Sequence, residues 1–289
     1  MIRRLCLIGV GLIGGSLALA LRRQPGVASI VGVDRDEANL AAALRLGIID
    51  EARTEVAAAA VDADLVVLAT PVGAMPAVLA ALGPVWRAGT LYTDVGSTKL
   101  DVIAALQAQL GSVPANFVPG HPIAGAECSG AAAARADLFD RRRVILTPLP
   151  ETSPDALERV ERLWVAVGAR VSRMAPRHHD EVLAATSHLP HVLAFVLTEM
   201  LGRRDEQQEI FQYAAGGFRD FTRIASSDPR MWLDICLANR EQIVPLIEQY
   251  REALALAAGH IQAGRAEALL QLFADARSAR QRFLDQLEK

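Results

Sequence analysis

The chain has 289 residues, enough for one large domain or two ordinary ones. Its composition, 52% hydrophobic and 22% charged, is globular, and a formal net charge of −3 excludes the broad basic surface that nucleic acid requires. Three scattered cysteines (Cys6, Cys128, Cys236) fit neither a disulfide framework nor a CxxC zinc pattern, so reduced thiols in a cytoplasmic protein are expected.

The first segment, RRLCLIGVGLIGGSLALALRR (Arg3 to Arg23), carries no charge between its arginine pairs. A membrane span is a poor reading, because Gly9, Gly11, Gly14 and Gly15 crowd into seven residues and each costs a helix interior roughly 1 kcal/mol. An export signal fits the basic start, but the chain continues at once into SIVGVD, a β-branched run ending in an acid. A nucleotide pocket uses every feature. Leu5 to Ile8 form a strand, GVGLIG (Gly9 to Gly14) matches GxGxxG, and a helix follows. Gly9 makes the tight turn, Gly11 lets the backbone approach a pyrophosphate, and Gly14 lets helix and strand pack. Leu12 and Ile13 then open a helix whose N-terminus faces the anion. Asp34 lies 20 residues past Gly14, where an acid bonds the ribose 2′-OH and repels a 2′-phosphate, so NAD is expected and NADP disfavoured. Arg35 is either a solvated turn residue or a cofactor contact.

Strand and helix signals then alternate. A helix from about Asp36 to Leu46 stops at Gly47. ADLVVLATP is a buried strand, followed by a helix around Met75 to Leu82. GTLYTDVGS is a strand and Lys99 to Leu110 a helix; ANFVPGHPIAG reads as strand then loop. RRRVILTP and ARVSRM are strands around a helix opened by Ser153 and Pro154. The alternation predicts an α/β fold, a Rossmann-type doubly wound, mostly parallel sheet over residues 1–174. From Pro176 onward only helices are expected, so residues 175–289 form an all-α domain after a short, stiff join. Its segment DEVLAATSHLPHVLAFVLTEML is apolar on more than one face, which points to burial between two subunits and a homodimer.

Ligands of such sheets bind beyond the carboxyl ends of the strands. Thr70-Pro71, TDVGSTK (Thr93 to Lys99) and HPIAGAE (His121 to Glu127) fall there. A histidine at that edge can take a hydroxyl proton while carbon gives up hydride, which makes His121 the candidate base. Ser97 would hold the histidine or the substrate oxygen, or cap the helix beginning near Lys99. SHLPH (Ser187 to His191), with His178 and His179 upstream, suits a polar pocket lining better than a metal site, since no carboxylate or cysteine completes a ligand set and the proline disturbs it. No metal is therefore expected. GGFRDFTRIASSDPRMW (Gly216 to Trp232) offers Arg219, Arg223 and Arg230 as forks for a carboxylate, and residue chemistry alone does not choose among them.

In this order and spacing, GVGLIGGSLA, TDVGSTK, HPIAGAE, SHLPH and GGFRDFTRIASSDPRMW resemble the bacterial prephenate dehydrogenases of tyrosine biosynthesis, over nearly the whole chain. The resemblance implies NAD-dependent oxidative decarboxylation of prephenate, with arogenate or dual use as the alternative, in a dimer formed through the C-terminal helices. It makes His121 the catalytic histidine, Ser97 the serine on the ring hydroxyl and Arg223 the carboxylate fork. His191 becomes a pocket histidine and Glu127 an acid near the entrance. Asp220 and Trp232 become further pocket residues, often supplied by the partner subunit. Ala126 departs from relatives that carry a hydroxyl there. The short charged helix after about Arg265 leaves no room for a regulatory domain, so any tyrosine inhibition is expected at the active site. Two other readings are weighed. A β-hydroxyacid reductase would need a lysine within Pro176 to Leu201, which has none; a non-catalytic NAD-sensing dimer would not need His121, Ser97 and Arg223 together. No membrane or nucleic-acid role is expected.

Overall fold

The structure, a computed structural model, describes residues 2–126, 128–204 and 209–287. Glu127 lies outside the described residues.

The N-terminal half alternates as its apolar runs predict. It contains β1 (Ile2–Ile8), α1 (Leu12–Arg22), β2 (Val27–Val33), α2 (Glu37–Arg45), β3 (Glu51–Arg53), α3 (Val56–Ala60), β4 (Leu65–Leu68), α4 (Met75–Leu82), β5 (Leu91–Asp94), α5 (Leu100–Leu110) and β6 (Phe117–Val118). The six strands form one parallel sheet in the order β3-β2-β1-β4-β5-β6, the dinucleotide-binding arrangement. Strand alternation decides which core each residue enters. Leu5, Leu7, Leu65 and Val67 pack on one side with Leu17 and Leu21 of α1. Cys6, Ile8, Val66 and Leu68 pack on the other with Leu79 of α4 and Leu106 of α5.

The sheet ends earlier than the strand signals suggest. Pro119 has no N–H to continue a ladder. The chain breaks there, and β7 (Gly120–Pro122), β8 (Arg143–Leu146) and β9 (Arg170–Arg173) make a separate three-stranded sheet, with β7 antiparallel to β8 and β9 parallel to it. Between β8 and β9 runs α6 (Pro154–Ala166), whose Ser153 Oγ accepts the Ala156 N–H, as the sequence predicts for a capped helix.

Among the described residues no strand follows β9. The long apolar segment is α7 (Pro176–Leu183), one wide turn over Ala184–His188, and α8 (Leu189–Gly202). In the wide turn Leu189 N–H reaches back five residues to Ala184 O. Pro190 accounts for it, because its ring crowds the carbonyl four residues back and it supplies no N–H of its own. By length and mean hydropathy (1.2) the stretch Pro176–Gly202 would also pass for a membrane span. It is tied instead by hydrogen bonds that Asp180 accepts from Lys99 and Leu100 at the start of α5 and that His188 accepts from Asn239. Within the single chain α8 buries only Ala194 fully and leaves Val196 and Met200 exposed. Then follow α9 (Glu209–Gln212), α10 (Gly216–Thr222) and α11 (Pro229–Ala238). One compact unit extends to Arg240 and a second starts at Glu241. The second is a helical pair, α12 (Arg240–Gln262) and α13 (Ala266–Leu287), with exposed Leu254, Leu256, Leu270 and Phe273.

The β1–α1 turn leaves no room for side chains at two of its glycines. Gly9 has φ +96°, and a Cβ there would lie 2.5 Å from Ala69 O; one on Gly14 would lie 2.3 Å from Gly9 O. Gly14→Ala should therefore cost about 1–3 kcal/mol, the range for overpacking a rigid site. Urea unfolding measures it, and undiminished stability would mean that α1 can slide away from the turn.

Candidate active site

Two groups of residues gather at the carboxyl ends of the strands. The first is the glycine turn. Gly11 is the N-cap of α1 and supplies no side-chain cap, and a Cβ built there would meet nothing within 4 Å. Open space beside main-chain N–H groups at a helix N-terminus suits a pyrophosphate, and Leu12 and Ile13 form that first turn. Asp34, at the end of β2, accepts from Val10 N (3.3 Å) and Asn39 Nδ2 (3.0 Å) on Oδ2 and from Asp36 N (3.1 Å) on Oδ1. A carboxylate has about four acceptor positions, so one remains for a ribose hydroxyl. Arg35 is exposed, as are Pro71 and the solvent side of that turn. Thr70, half-buried, donates to Met75 Sδ at 3.8 Å. These residues fit a dinucleotide.

The second group surrounds His121. A buried pair, Asp94 and Lys99, brackets the β5–α5 loop. Lys99 Nζ donates to Asp94 Oδ2 and, at 2.7 Å, to Gly120 O, while Gly120 N donates to Asp94 Oδ1 (3.1 Å). The residue before His121 is thus held through both its peptide groups. His121 is 9% exposed and its Nδ1 lies 2.8 Å from His179 Nε2. His179 Nδ1 in turn lies 2.7 Å from Asp180 Oδ1. Burial, together with the neighbouring His179, Lys99 and His188, holds His121 well below the ordinary histidine range, so the imidazole is neutral.

Ser97 lies half-buried on the same loop. It does not cap α5. The N-cap position is Lys99, and the carboxylate of Asp180 accepts the Lys99 and Leu100 N–H groups, each at 2.9 Å. A full carboxylate carried in from α7 outcompetes a local hydroxyl at the positive end of the helix.

Around the wide turn, Asn239 fixes two more groups. Its Nδ2 donates to Asp180 O (2.8 Å), a bond that only an N–H can make, and to His188 Nδ1 (3.1 Å). Ser187 is half-buried, and His191 Nδ1–H donates to its carbonyl at 2.8 Å. Trp232 on α11 stacks on His191 with centroids 3.6 Å apart and packs against Val72 and Ile235. The stack forms inside one chain, and the resemblance makes this tryptophan a pocket residue of a kind often supplied by the partner subunit. Its Nε1–H is buried with no hydrogen-bond partner among the described residues. Arg223 begins an exposed turn over Arg223–Ser226 that packs on α8. Asp220 is exposed and paired with Arg219 at 3.6 Å. The histidine group therefore includes Trp232 and His191, while Arg223 and Asp220 stand on the surface beside α8.

Sequence reasoning gives no individual part to Asp94, Lys99, Asp180, Asn39 or Asn239, and weighs His179 only as a pocket-lining residue or a metal ligand. Most of the bonds that give them a part join residues distant in sequence (81 residues separate Lys99 from Asp180) and leave no periodic trace. Among the described residues no three His, Cys, Asp or Glu side chains converge as a metal set.

His188 carries a pH signature. Burial lowers its pKa to about 4 against the pull of Asp180, with His179 and His191 lowering it further. Below pH 6.5 the unfolded chain takes up a proton that the folded histidine refuses until about pH 4. Stability should therefore fall as pH drops through that window, by about 3 kcal/mol from this group. Urea unfolding at several pH values tests this; His188→Gln should flatten the slope between pH 6.5 and 4, and an unchanged slope would assign the acid sensitivity to other groups.

The chain is similar to known proteins in sequence and in fold. Residues 17–173 match the family model described as the prephenate dehydrogenase nucleotide-binding domain, and residues 175–275 match the prephenate dehydrogenase dimerization domain. The chain is 37% identical to cyclohexadienyl dehydrogenase of Zymomonas mobilis, over 96% of this chain and 95% of that one. It is 37% identical to prephenate dehydrogenase of Bacillus subtilis, over 95% and 74% of the two chains. The crystal structure of prephenate dehydrogenase from Aquifex aeolicus in complex with hydroxyphenyl propionate and NAD+ superposes with a TM-score of 0.90 at 36% identity, over 98% of this chain and 99% of that one.

Proposed function

The chain belongs to the prephenate dehydrogenase family of oxidoreductases, and from that premise we propose that it converts prephenate to 4-hydroxyphenylpyruvate with NAD, His121 taking the ring hydroxyl proton. The observation that carries this reading is a buried, neutral imidazole beside the loop of Ser97 at the carboxyl edge of the sheet. A base must be unprotonated to act, and burial keeps it so.

Bound NAD would supply the hydride acceptor. The turn of Gly9, Gly11 and Gly14 and the N–H groups of Leu12 and Ile13 would hold its pyrophosphate, Asp34 its ribose, with Thr70 and Pro71 edging the crevice and Arg35 at its rim. NADP is disfavoured by the Asp34 carboxylate. Departure of the ring carboxylate as CO₂ leaves an aromatic ring, so the side chains need only orient the substrate and accept one proton. Ser97 would bond the ring hydroxyl and Arg223 a carboxylate. Ser187, His191, Trp232 and Asp220 would line the pocket, with Glu127 near its entrance. The unmatched Trp232 Nε1–H supports this, since a polar ligand would satisfy it.

Residues 1–174 would form the nucleotide-binding domain and 175–289 the helical one. A homodimer through the C-terminal helices fits the exposed Val196, Met200, Leu270 and Phe273. A cytoplasmic location would fit the three free cysteines. The similarity to a cyclohexadienyl dehydrogenase favours a second reading, use of arogenate as well as prephenate.

NADH production at 340 nm, with prephenate and arogenate in turn, measures the activity and the preference. His121→Asn should lower turnover by roughly 10² or more with NAD binding retained, within the range for a lost general base. Full activity in that variant would remove His121 from the role. Arg223→Ala should raise the substrate KM about tenfold or more, as for a lost charged hydrogen bond; an unchanged KM would move the fork to another arginine.

A further inference from the structure

We propose that His179 and Asp180 are positioning residues that set the tautomer of His121, placing its one proton on Nδ1 and leaving the Nε2 lone pair as the base. The inference rests on the reading of His121 as the base, and it follows from a chain of hydrogen bonds in which each link dictates the next.

The chain starts at main-chain groups that can only donate. Lys99 N and Leu100 N give their protons to Asp180 Oδ1 and Oδ2, each at 2.9 Å, which commits the carboxylate as an acceptor. Its remaining neighbour, His179 Nδ1 at 2.7 Å, must then be a donor. With one N–H on His179, spent on Asp180, its Nε2 carries a lone pair. His121 Nδ1, 2.8 Å away, must donate to it. The proton of neutral His121 is therefore on Nδ1, and Nε2 is the nitrogen able to accept. Asn239 holds the start of the relay through Asp180 O (2.8 Å). His179 and Asp180 are 0% and 1% exposed, so water does not compete for these bonds.

The same bonds serve the charged form. When Nε2 takes the substrate's proton, an O–H bond breaks and an N–H bond forms, and His121 becomes an imidazolium close to Lys99 and His188. Its Nδ1–H then strengthens its bond to His179, whose own N–H faces the negative charge of Asp180. Neutral His121 is the resting form because burial disfavours its protonation. An imidazolium at His179 in the resting form would reverse the order and put the His121 proton on Nε2.

The test is nitrogen-15 NMR of the whole, ligand-free protein labelled at the histidine rings, near pH 7.5, with signals assigned by His121→Asn and His179→Phe. His121 should show a protonated Nδ1 and a bare Nε2. In His179→Phe the two tautomers should mix, and kcat should fall by roughly 10², the lower end of general-base catalysis, with substrate KM unchanged. His179→Gln, whose Oε1 can accept the Nδ1 proton, should keep the parent tautomer and recover most of the lost kcat. A proton on His121 Nε2 in the parent, a doubly protonated His179, or a His179→Phe enzyme with full kcat would each overturn the relay. If the parent turns over neither prephenate nor arogenate, the proposed activity fails on its own, while the nitrogen spectra still decide the tautomer.

Discussion

The buried pair of Asp94 and Lys99 is the constraint on which the site depends. Two opposite charges withdrawn from water gain little net stability from each other, and their value lies in the geometry they impose. Here most of the bonding positions are used. Asp94 receives Gly96 N, Gly120 N and the ammonium, and the ammonium also gives to Gly120 O. The pair sits where the large parallel sheet ends and the small sheet begins, and it holds the first residue of the small sheet by both peptide groups. Gly120 leaves little room for change, since a Cβ there would lie 3.1 Å from Asp94 O. His121 is the next residue, so its backbone position follows from an ion pair it never touches.

A second fastening joins the helices to that sheet. Asp180 crosses from α7 to the N-terminus of α5, Asn239 ties the end of α11 to Asp180 and His188, and Trp232 lies on His191. On the far side of Trp232 the turn after β4 meets α11 so closely that a Cβ on Gly73 would lie 2.5 Å from the Asp234 carboxylate. Asn39 does comparable work at the nucleotide end, bonding Val10 O, Asp34 Oδ2 and Ala131 N at once. Polar side chains with several partners, more than apolar contacts, hold the loops that the chemistry uses.

The frame was readable from residue pattern because its signals are local. Apolar strands of four residues or more, a glycine turn and capped helices each announce themselves within a dozen residues. The edge strand Glu51–Arg53 has no apolar run to betray it, and the segment around Pro119, which reads as strand then loop, instead continues past the break as the first strand of a second sheet. The site divides the same way. His121, His191 and Trp232 stand out in dense motifs, whereas Asp94, Lys99, Asp180 and Asn239 look like ordinary loop or surface residues until the chain brings their partners to them. Nothing near Lys99 in TDVGSTK shows that this lysine is wholly buried.

The wide turn of Ala184–His188 has an angular consequence. An α-helix advances about 100° per residue, so twelve residues of unbroken helix would set His191 about 120° around the axis from His179. One residue absorbed by the looser turn takes out a single such step and leaves the two rings about 20° apart in azimuth. The proline that interrupts the hydrogen-bond ladder thus works as a phase corrector: two histidines that regular winding would send to separate sides of the rod come to look the same way.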